Sequence, residues 1–167
     1  MPSIDDLKVK IFLDGADIES IRKSAEKFPF VKGYTTNPTL MRKSGVSDYR
    51  DFALRAIEAS GGAPISFEVF SDEFEDMERQ SRIISSWGES VFVKIPITNT
   101  RGESSSALIK RLSDDGVRLN VTAILSIGQV TTVAEALNDK APSIVSVFAG
   151  RIADTGIDPV PMMKECL

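Results

Sequence analysis

Short apolar runs alternate with longer stretches of helical periodicity along almost the whole chain. The runs Val9–Asp14, Val31–Thr36, Pro64–Val69, Val91–Pro96, Arg118–Ile124 and Ile144–Phe148 are rich in β-branched and aromatic residues and read as strands. They begin roughly 20 to 30 residues apart, the length of a strand plus a crossover helix. Helical patterns fill the gaps. Asp17 is placed to cap a helix over Ile18–Phe28. Ser47 is placed to cap Asp48–Ser60, with Gly61 and Gly62 as the stop, and Ser71 to cap Asp72–Trp87. The acidic first turn of that third helix (Asp72, Glu73, Glu75) has the sign a helix dipole favours. Gly102–Asp115 and Ser126–Asn138 bring the full helices to five, and a sixth begins at Asp158.

Strands that read as near-continuous apolar runs between helices imply a parallel sheet covered on both faces. Two architectures satisfy that: a doubly wound open sheet and a (β/α)8 barrel. No G-x-G-x-x-G or Walker A pattern follows any run, which weighs against a nucleotide-binding open sheet. No linker or low-complexity stretch interrupts the repeat. At 167 residues the chain has the length of one domain, expected to span 1–167.

Composition then removes several function classes. With 42% apolar and 26% charged residues, the chain has the material for a core. Its net charge is −4 and it has no basic stripe, so nucleic acid is not an expected partner. No stretch approaches the roughly 18 apolar residues of a membrane span. The opening MPSIDDLKVK lacks the apolar core of a leader. A cytoplasmic protein without membrane association is the expectation. Cys166 is the sole cysteine, which excludes an intrachain disulfide and suits a reducing compartment. There is no histidine, which excludes Ser-His-Asp and Cys-His catalysis and any His-ligated metal.

The candidate chemistry lies in polar residues at or near the ends of the apolar runs. In order these are Asp14, Thr36 with Asn37, Glu68, Lys94, Asn120 with Thr122, and Ser146 with Arg151. In parallel α/β folds the C-terminal strand ends form the ligand-binding face. Lys94 interrupts Val91-Phe92-Val93-Lys94-Ile95-Pro96-Ile97. Desolvating a full ammonium there is costly and favours the neutral amine, the form that attacks a carbonyl. The plainer alternative is a lysine snorkelling to water or paired with an acid. Asp14 and Glu68 are candidate proton movers. Alternatively, Asp14 is a turn residue before Gly15 and Glu68 is an ion-pair partner, of Lys94 among others. Thr36-Asn37-Pro38 also reads as a turn and helix start. Asn120 and Thr122 alternate with apolar neighbours and share a face, where they also suit a satisfied hydrogen-bonded pair. Arg151 reads as a phosphate clamp or as a surface charge.

These residues, in this order, resemble the transaldolases, especially the short subfamily that includes fructose-6-phosphate aldolase. The matching stretches are Phe12-Leu13-Asp14, Thr35-Thr36-Asn37-Pro38-Thr39, Ser66-Phe67-Glu68-Val69, Val93-Lys94-Ile95-Pro96, Leu119-Asn120-Val121-Thr122 and Ser146-Val147-Phe148-Ala149-Gly150-Arg151-Ile152. The resemblance implies a (β/α)8 TIM-barrel fold, about six of whose eight βα units this chain supplies. It implies class I aldol chemistry on sugar phosphates with no metal or organic cofactor. Lys94 would be the Schiff-base lysine and Asp14 the acceptor of the C4 hydroxyl proton. Glu68 would shuttle protons through a water held by Thr122. Thr36, Asn37, Asn120, Ser146 and Phe148 would line the bound substrate, and Arg151 would hold its phosphate. The implied reaction moves a dihydroxyacetone unit from sedoheptulose 7-phosphate to glyceraldehyde 3-phosphate, a step of the pentose phosphate pathway. The aldolases of this subfamily carry glutamine at the place of Glu68 and tyrosine at that of Phe148, so both positions favour transfer over simple cleavage.

Family members supply two further βα units and a C-terminal helix through which the short members interlock, so a full-length chain is expected to be a homo-oligomer. The chain is expected to be a fragment of a longer product. Completion by association with other copies, and a paralogue that keeps the site but not the activity, are the alternatives.

Overall fold

Each of the six apolar runs forms a strand in the computed structural model of the chain, which describes Ile4 and residues 7–167. Met1–Ser3, Asp5 and Asp6 lie outside the described residues, and with them part of the segment read as lacking a leader core. In chain order the elements are β1 (Ile11–Asp14), α1 (Ile18–Lys27), β2 (Val31–Thr35), α2 (Pro38–Lys43), α3 (Tyr49–Ala59), β3 (Ile65–Glu68), α4 (Phe74–Ser85), β4 (Val91–Pro96), α5 (Ser106–Asp114), β5 (Leu119–Ile124), α6 (Ile127–Ala136), β6 (Ser143–Val147), α7 (Ala149–Asp154) and α8 (Val160–Glu165). This is a parallel α/β fold of six βα units, of the TIM-barrel type. Two compact units divide it: Met1–Glu68 with Ile84–Phe92, and Val69–Ile83 with Val93–Leu167. Within each, strand order follows chain order, β1-β2-β3 in the first and β4 (from Val93)-β5-β6 in the second. Neither shows the reversal of order that marks a doubly wound sheet.

In the first unit, Asp17 caps α1 by accepting from the Ser20 N–H at 2.8 Å. α1 turns Ile21 and Ser24 inward, and the Ser24 hydroxyl bonds the buried Tyr34 hydroxyl of β2 at 3.0 Å. α3 buries Phe52, Ala53, Ala56 and Ala59. Its cap is Asp48, which accepts from the Asp51 N–H at 2.9 Å, and not the neighbouring Ser47. Gly61 and Gly62 end that segment at φ +61° and +86°, a left-handed turn open to glycine without steric cost.

In the second unit, the fully buried Leu108, Ile109 and Leu112 of α5 join Val93, Ile95, Leu119, Val121 and Ile124 in the core. α5 begins four residues later than the pattern predicts, at Ser106 instead of Gly102. The Asn99 side chain accepts from the N–H groups of Arg101 (3.1 Å) and Glu103 (2.9 Å), and Gly102 sits at φ +79°. Those bonds compete with the helix for its first donors. α4 likewise starts at Phe74, not Asp72. The Gln80 amide reaches back to the Phe70 and Ser71 N–H groups (2.7 and 3.1 Å), and Asp72 accepts from Thr100 N and Oγ1 (2.8 and 2.6 Å). Ser126, read as the first residue of its helix, is instead the cap of α6, its side chain accepting from the Gln129 N–H. The short helix α2 begins at Pro38, where a turn and helix start were read; α7 falls where no helix was read, and the last helix begins at Val160, not Asp158. Among the described residues, no helix is long and apolar enough to cross a membrane.

Gly33 has a steric role. It pairs with Phe12 across β1 and β2, and a Cβ there would lie 2.2 Å from the Phe12 ring. We expect Gly33→Ala to destabilise the protein by about 1–3 kcal/mol, the usual cost of overpacking. In a Phe12→Ala background the same change becomes nearly neutral. Urea denaturation of the four proteins measures this, and an equal cost in both backgrounds would rule out the clash as the cause.

Candidate active site

The first unit places its polar residues at the C-terminal ends of β1, β2 and β3. Asp14 closes β1 and is exposed; its Oδ1 accepts from the Thr35 hydroxyl at 2.8 Å. Asp14 and Thr35 are register partners, so their side chains share a face of the sheet. Thr36, one residue on, is fully buried, and its hydroxyl donates to the Ser66 carbonyl at 3.2 Å. Asn37 caps α2, its Oδ1 accepting from the Leu40 N–H at 2.9 Å, which leaves the amide NH₂ as its group for a ligand. A cavity of about 280 Å³ beside Asp14 is lined also by Ser20, Ser24 and Tyr34. Glu68, half-buried, is the last residue of β3, and its carbonyl accepts from the Tyr49 hydroxyl at 2.8 Å. Burial first, and the nearby Glu68 charge second, push the Tyr49 phenol well above the usual tyrosine range.

The second unit holds the lysine. Lys94 is half-buried on β4, flanked in sequence by the fully buried Val93 and Ile95. Its register partner on β5 is Asn120, which is buried, and paired residues of a parallel sheet share a face. Ser146 of β6 lies two residues beyond Ile144, the partner of Asn120, and its hydroxyl donates to Asn120 Oδ1 at 2.7 Å. Lys94, Asn120 and Ser146 therefore make one row across three adjacent strands. The alternative reading paired Asn120 with Thr122, two residues along the same strand; Ser146 takes that place.

Thr122 is also buried, and its hydroxyl has no hydrogen-bond partner among the described residues. Directly after it, β5 bulges. From Val121 to Ile124 the strand advances three residues while β6 advances two, from Val145 to Val147. The extra residue is accommodated by Ala123 at φ +60°, a left-handed conformation that costs a non-glycine residue about 1–2 kcal/mol. Phe148 follows β6 as the N-cap residue of α7 and is exposed. Arg151 lies on α7, with its side chain 76% exposed and 3.4 Å from Asp154, so its guanidinium is open to an anion. Among the described residues, no group of three or more His, Cys, Asp or Glu side chains is arranged to hold a metal ion.

Three features of these strand ends were not singled out from sequence. Thr35, rather than Thr36, touches Asp14, because adjacent strand residues face opposite ways. Tyr49 touches the end of β3 from a helix that begins 19 residues earlier in the chain. The bulge at Ala123 carries no sequence signal, since alanine is not a residue that marks a left-handed turn.

The model of the transaldolase/fructose-6-phosphate aldolase family matches residues 11–167 of the chain. A probable transaldolase of Dehalococcoides mccartyi is 36% identical over 157 residues, covering 94% of this chain and 68% of that protein. A probable transaldolase of Herpetosiphon aurantiacus is 35% identical, with 94% and 66% covered. A probable transaldolase 1 of Listeria monocytogenes is 35% identical over 159 residues, with 94% and 68% covered. The chain thus spans about two thirds of the length of these relatives.

The isolated hydroxyl of Thr122 yields a stability prediction. A buried polar group without a partner weakens a fold, and Thr122→Val removes it at nearly constant shape. We expect that variant to match or exceed the parent by up to about 1 kcal/mol in urea denaturation. A loss of more than about 1 kcal/mol would mean that the hydroxyl is bonded in solution.

Proposed function

The chain belongs to the transaldolase/fructose-6-phosphate aldolase family, and from that premise we propose that it transfers a dihydroxyacetone unit between sugar phosphates through a Schiff base on Lys94. The observation that carries this reading is the row of Lys94, Asn120 and Ser146 on neighbouring strands. It puts an amine beside a carbonyl-and-hydroxyl pair suited to a polyhydroxylated substrate.

In this mechanism the neutral Lys94 amine attacks the C2 carbonyl of a ketose phosphate. The carbinolamine loses water to give the imine, with Glu68 and Thr122 moving the protons through a water molecule. Asp14 takes the proton of the C4 hydroxyl as the C3–C4 bond breaks. The electron pair of that bond passes into the imine, giving an enamine, and the aldose leaves. Attack of the enamine on a second aldose phosphate and hydrolysis of the new imine complete the transfer. Asp14 is suited to its role because Thr35 orients one of its oxygens. Thr36 supports the strand end through its bond to Ser66, while Asn37 offers its amide to a substrate hydroxyl. Arg151 holds the phosphate; its exposure and its loose pairing with Asp154 support that role. Glu68 and Phe148, where the family's aldolases carry glutamine and tyrosine, favour transfer. A phenol there would assist protonation of the enamine from water, and the phenylalanine ring has no proton to give.

Borohydride reduction in the presence of fructose 6-phosphate is expected to fix a three- or six-carbon adduct on Lys94, located by peptide mapping. Lys94→Arg abolishes it and lowers turnover by roughly three orders of magnitude or more. An adduct on another lysine, or none in a folded sample, overturns the assignment. With erythrose 4-phosphate or glyceraldehyde 3-phosphate as acceptor, transfer is expected to outrun release of free dihydroxyacetone. Glu68→Gln shifts that balance toward release; an unchanged ratio would count against the role given to Glu68.

A further inference from the structure

The hydrogen bonds between β2 and β3 stop in a way that exposes a further residue of the mechanism. Tyr34 N–H donates to the Pro64 carbonyl at 2.8 Å, and Thr36 N–H donates to the Ser66 carbonyl at 3.1 Å. The next rung, two residues along both strands, would run from residue 38 to the Glu68 carbonyl. Residue 38 is proline, which has no N–H to give. The Tyr49 hydroxyl lies 2.8 Å from that same carbonyl and donates to it.

Tyr49 is the first residue of α3, directly after the cap Asp48, and its ring is held by other rings. It stands edge-on to Trp87 (centroids 5.1 Å apart, 85° between planes) and to Phe67 (6.2 Å, 74°). Phe67 and Trp87 meet edge-on in turn (5.8 Å, 74°), and Phe67 is the strand neighbour of Glu68. Each pair is in the geometry that ring quadrupoles prefer. The cluster thus aims the phenol at the end of β3, in place of the donor the ladder lacks.

We propose that Tyr49 is a positioning residue for Glu68, fixing the backbone from which the proton-shuttling carboxylate projects. The inference rests on the role given to Glu68 above. The phenol is a stable donor, because burial and the Glu68 charge both oppose its ionisation. A group that moves protons must be held closely, since small misplacements slow such steps disproportionately. Pro38 ends the β2 ladder where α2 must start, so the chain needs a donor from elsewhere, and Tyr49 provides it.

The test follows adduct formation on Lys94 with fructose 6-phosphate, quenched by borohydride at successive times. Tyr49→Phe keeps the ring cluster and removes the hydroxyl. It is expected to slow adduct formation about fivefold, the usual size of one lost hydrogen bond. The half-saturating substrate concentration should not change. In a Glu68→Gln background the same substitution should slow the reaction no further. Gly33→Ala, which destabilises the same unit through the Phe12 ring and leaves the rings around Tyr49 in place, should lower the melting temperature and leave the rate intact. Equal slowing by Tyr49→Phe in both backgrounds, or slowing by Gly33→Ala as well, would reduce Tyr49 to a structural role. An unchanged rate in Tyr49→Phe overturns this proposal alone. Absence of an adduct in the wild type overturns the Schiff-base reading and the catalytic part of this one with it.

Discussion

In a parallel sheet each strand must be entered from the same end as its neighbour, so the chain has to return across a helix after every strand. The rest of this molecule follows from that constraint. It requires a βα repeat, it buries most of β3, β4 and β5, and it gathers the strand C-termini of each unit on one side. Polar residues are tolerated there because the ladder ends there. Asp14, Glu68 and Pro96 are the last residues of their strands, and Lys94 stands one turn of the pleat earlier. The apolar residues before them belong to the core: Ile65, Phe67, Val93, Leu119 and Val121 are fully buried. The same register that builds the core sets Lys94 beside Asn120.

The elements of the fold were legible because strand and helix periods differ, and the six strand centres are where the pattern puts them. Ends were harder, since they are decided by single side chains. Asp48 displaces Ser47 as the cap of α3, as two adjacent residues are both competent to cap. Asn99 and Gln80 each redirect the backbone donors of the segment next to them, and so delay α5 and α4. A periodicity argument sees neither, because each depends on a side chain folding back over several residues. Lys94 and Asn120 were visible as polar residues out of place in apolar runs. Thr35 was not, because the parity of its strand decides which of two threonines faces Asp14. Tyr49 was not, because its partner is a backbone carbonyl, and the lost donor becomes apparent only when Pro38 is set opposite Glu68.

β5 carries two costs in consecutive residues, the unpartnered Thr122 hydroxyl and the left-handed Ala123. Neither helps the sheet: a valine in place of the threonine and a glycine in place of the alanine would both be easier to accommodate. Costs of this kind persist where surrounding structure fixes them and where function uses them. The core provides the fixing, with Val121 and Ile124 fully buried on either side. Their placement one residue beyond the Asn120–Val121 step, on the strand beside Lys94, supports the role proposed for Thr122.

The Schiff base proposed for Lys94 requires a backbone held still enough for its amine to meet a carbonyl at a defined angle, and the surroundings of β4 supply that hold. Val69 N–H donates to the Lys94 carbonyl at 3.1 Å, Val93 N–H to the Arg118 carbonyl at 2.8 Å, and Ile97 N–H to the Thr122 carbonyl at 3.0 Å. After the strand, the Ser105 hydroxyl donates to the Pro96 carbonyl at 2.5 Å, and Ser105 N–H donates to the Ile97 carbonyl. The intervening loop is tied by Arg101, which pairs with Glu73 at 2.7 Å and Glu103 at 2.9 Å, and by the grip of Asp72 on Thr100. As exposed pairs these ions add little to global stability. Their effect is local: they keep the chain beyond Pro96 folded onto the start of α4. The backbone of Lys94 is thereby fixed from both sides, as the covalent catalysis proposed for its amine requires.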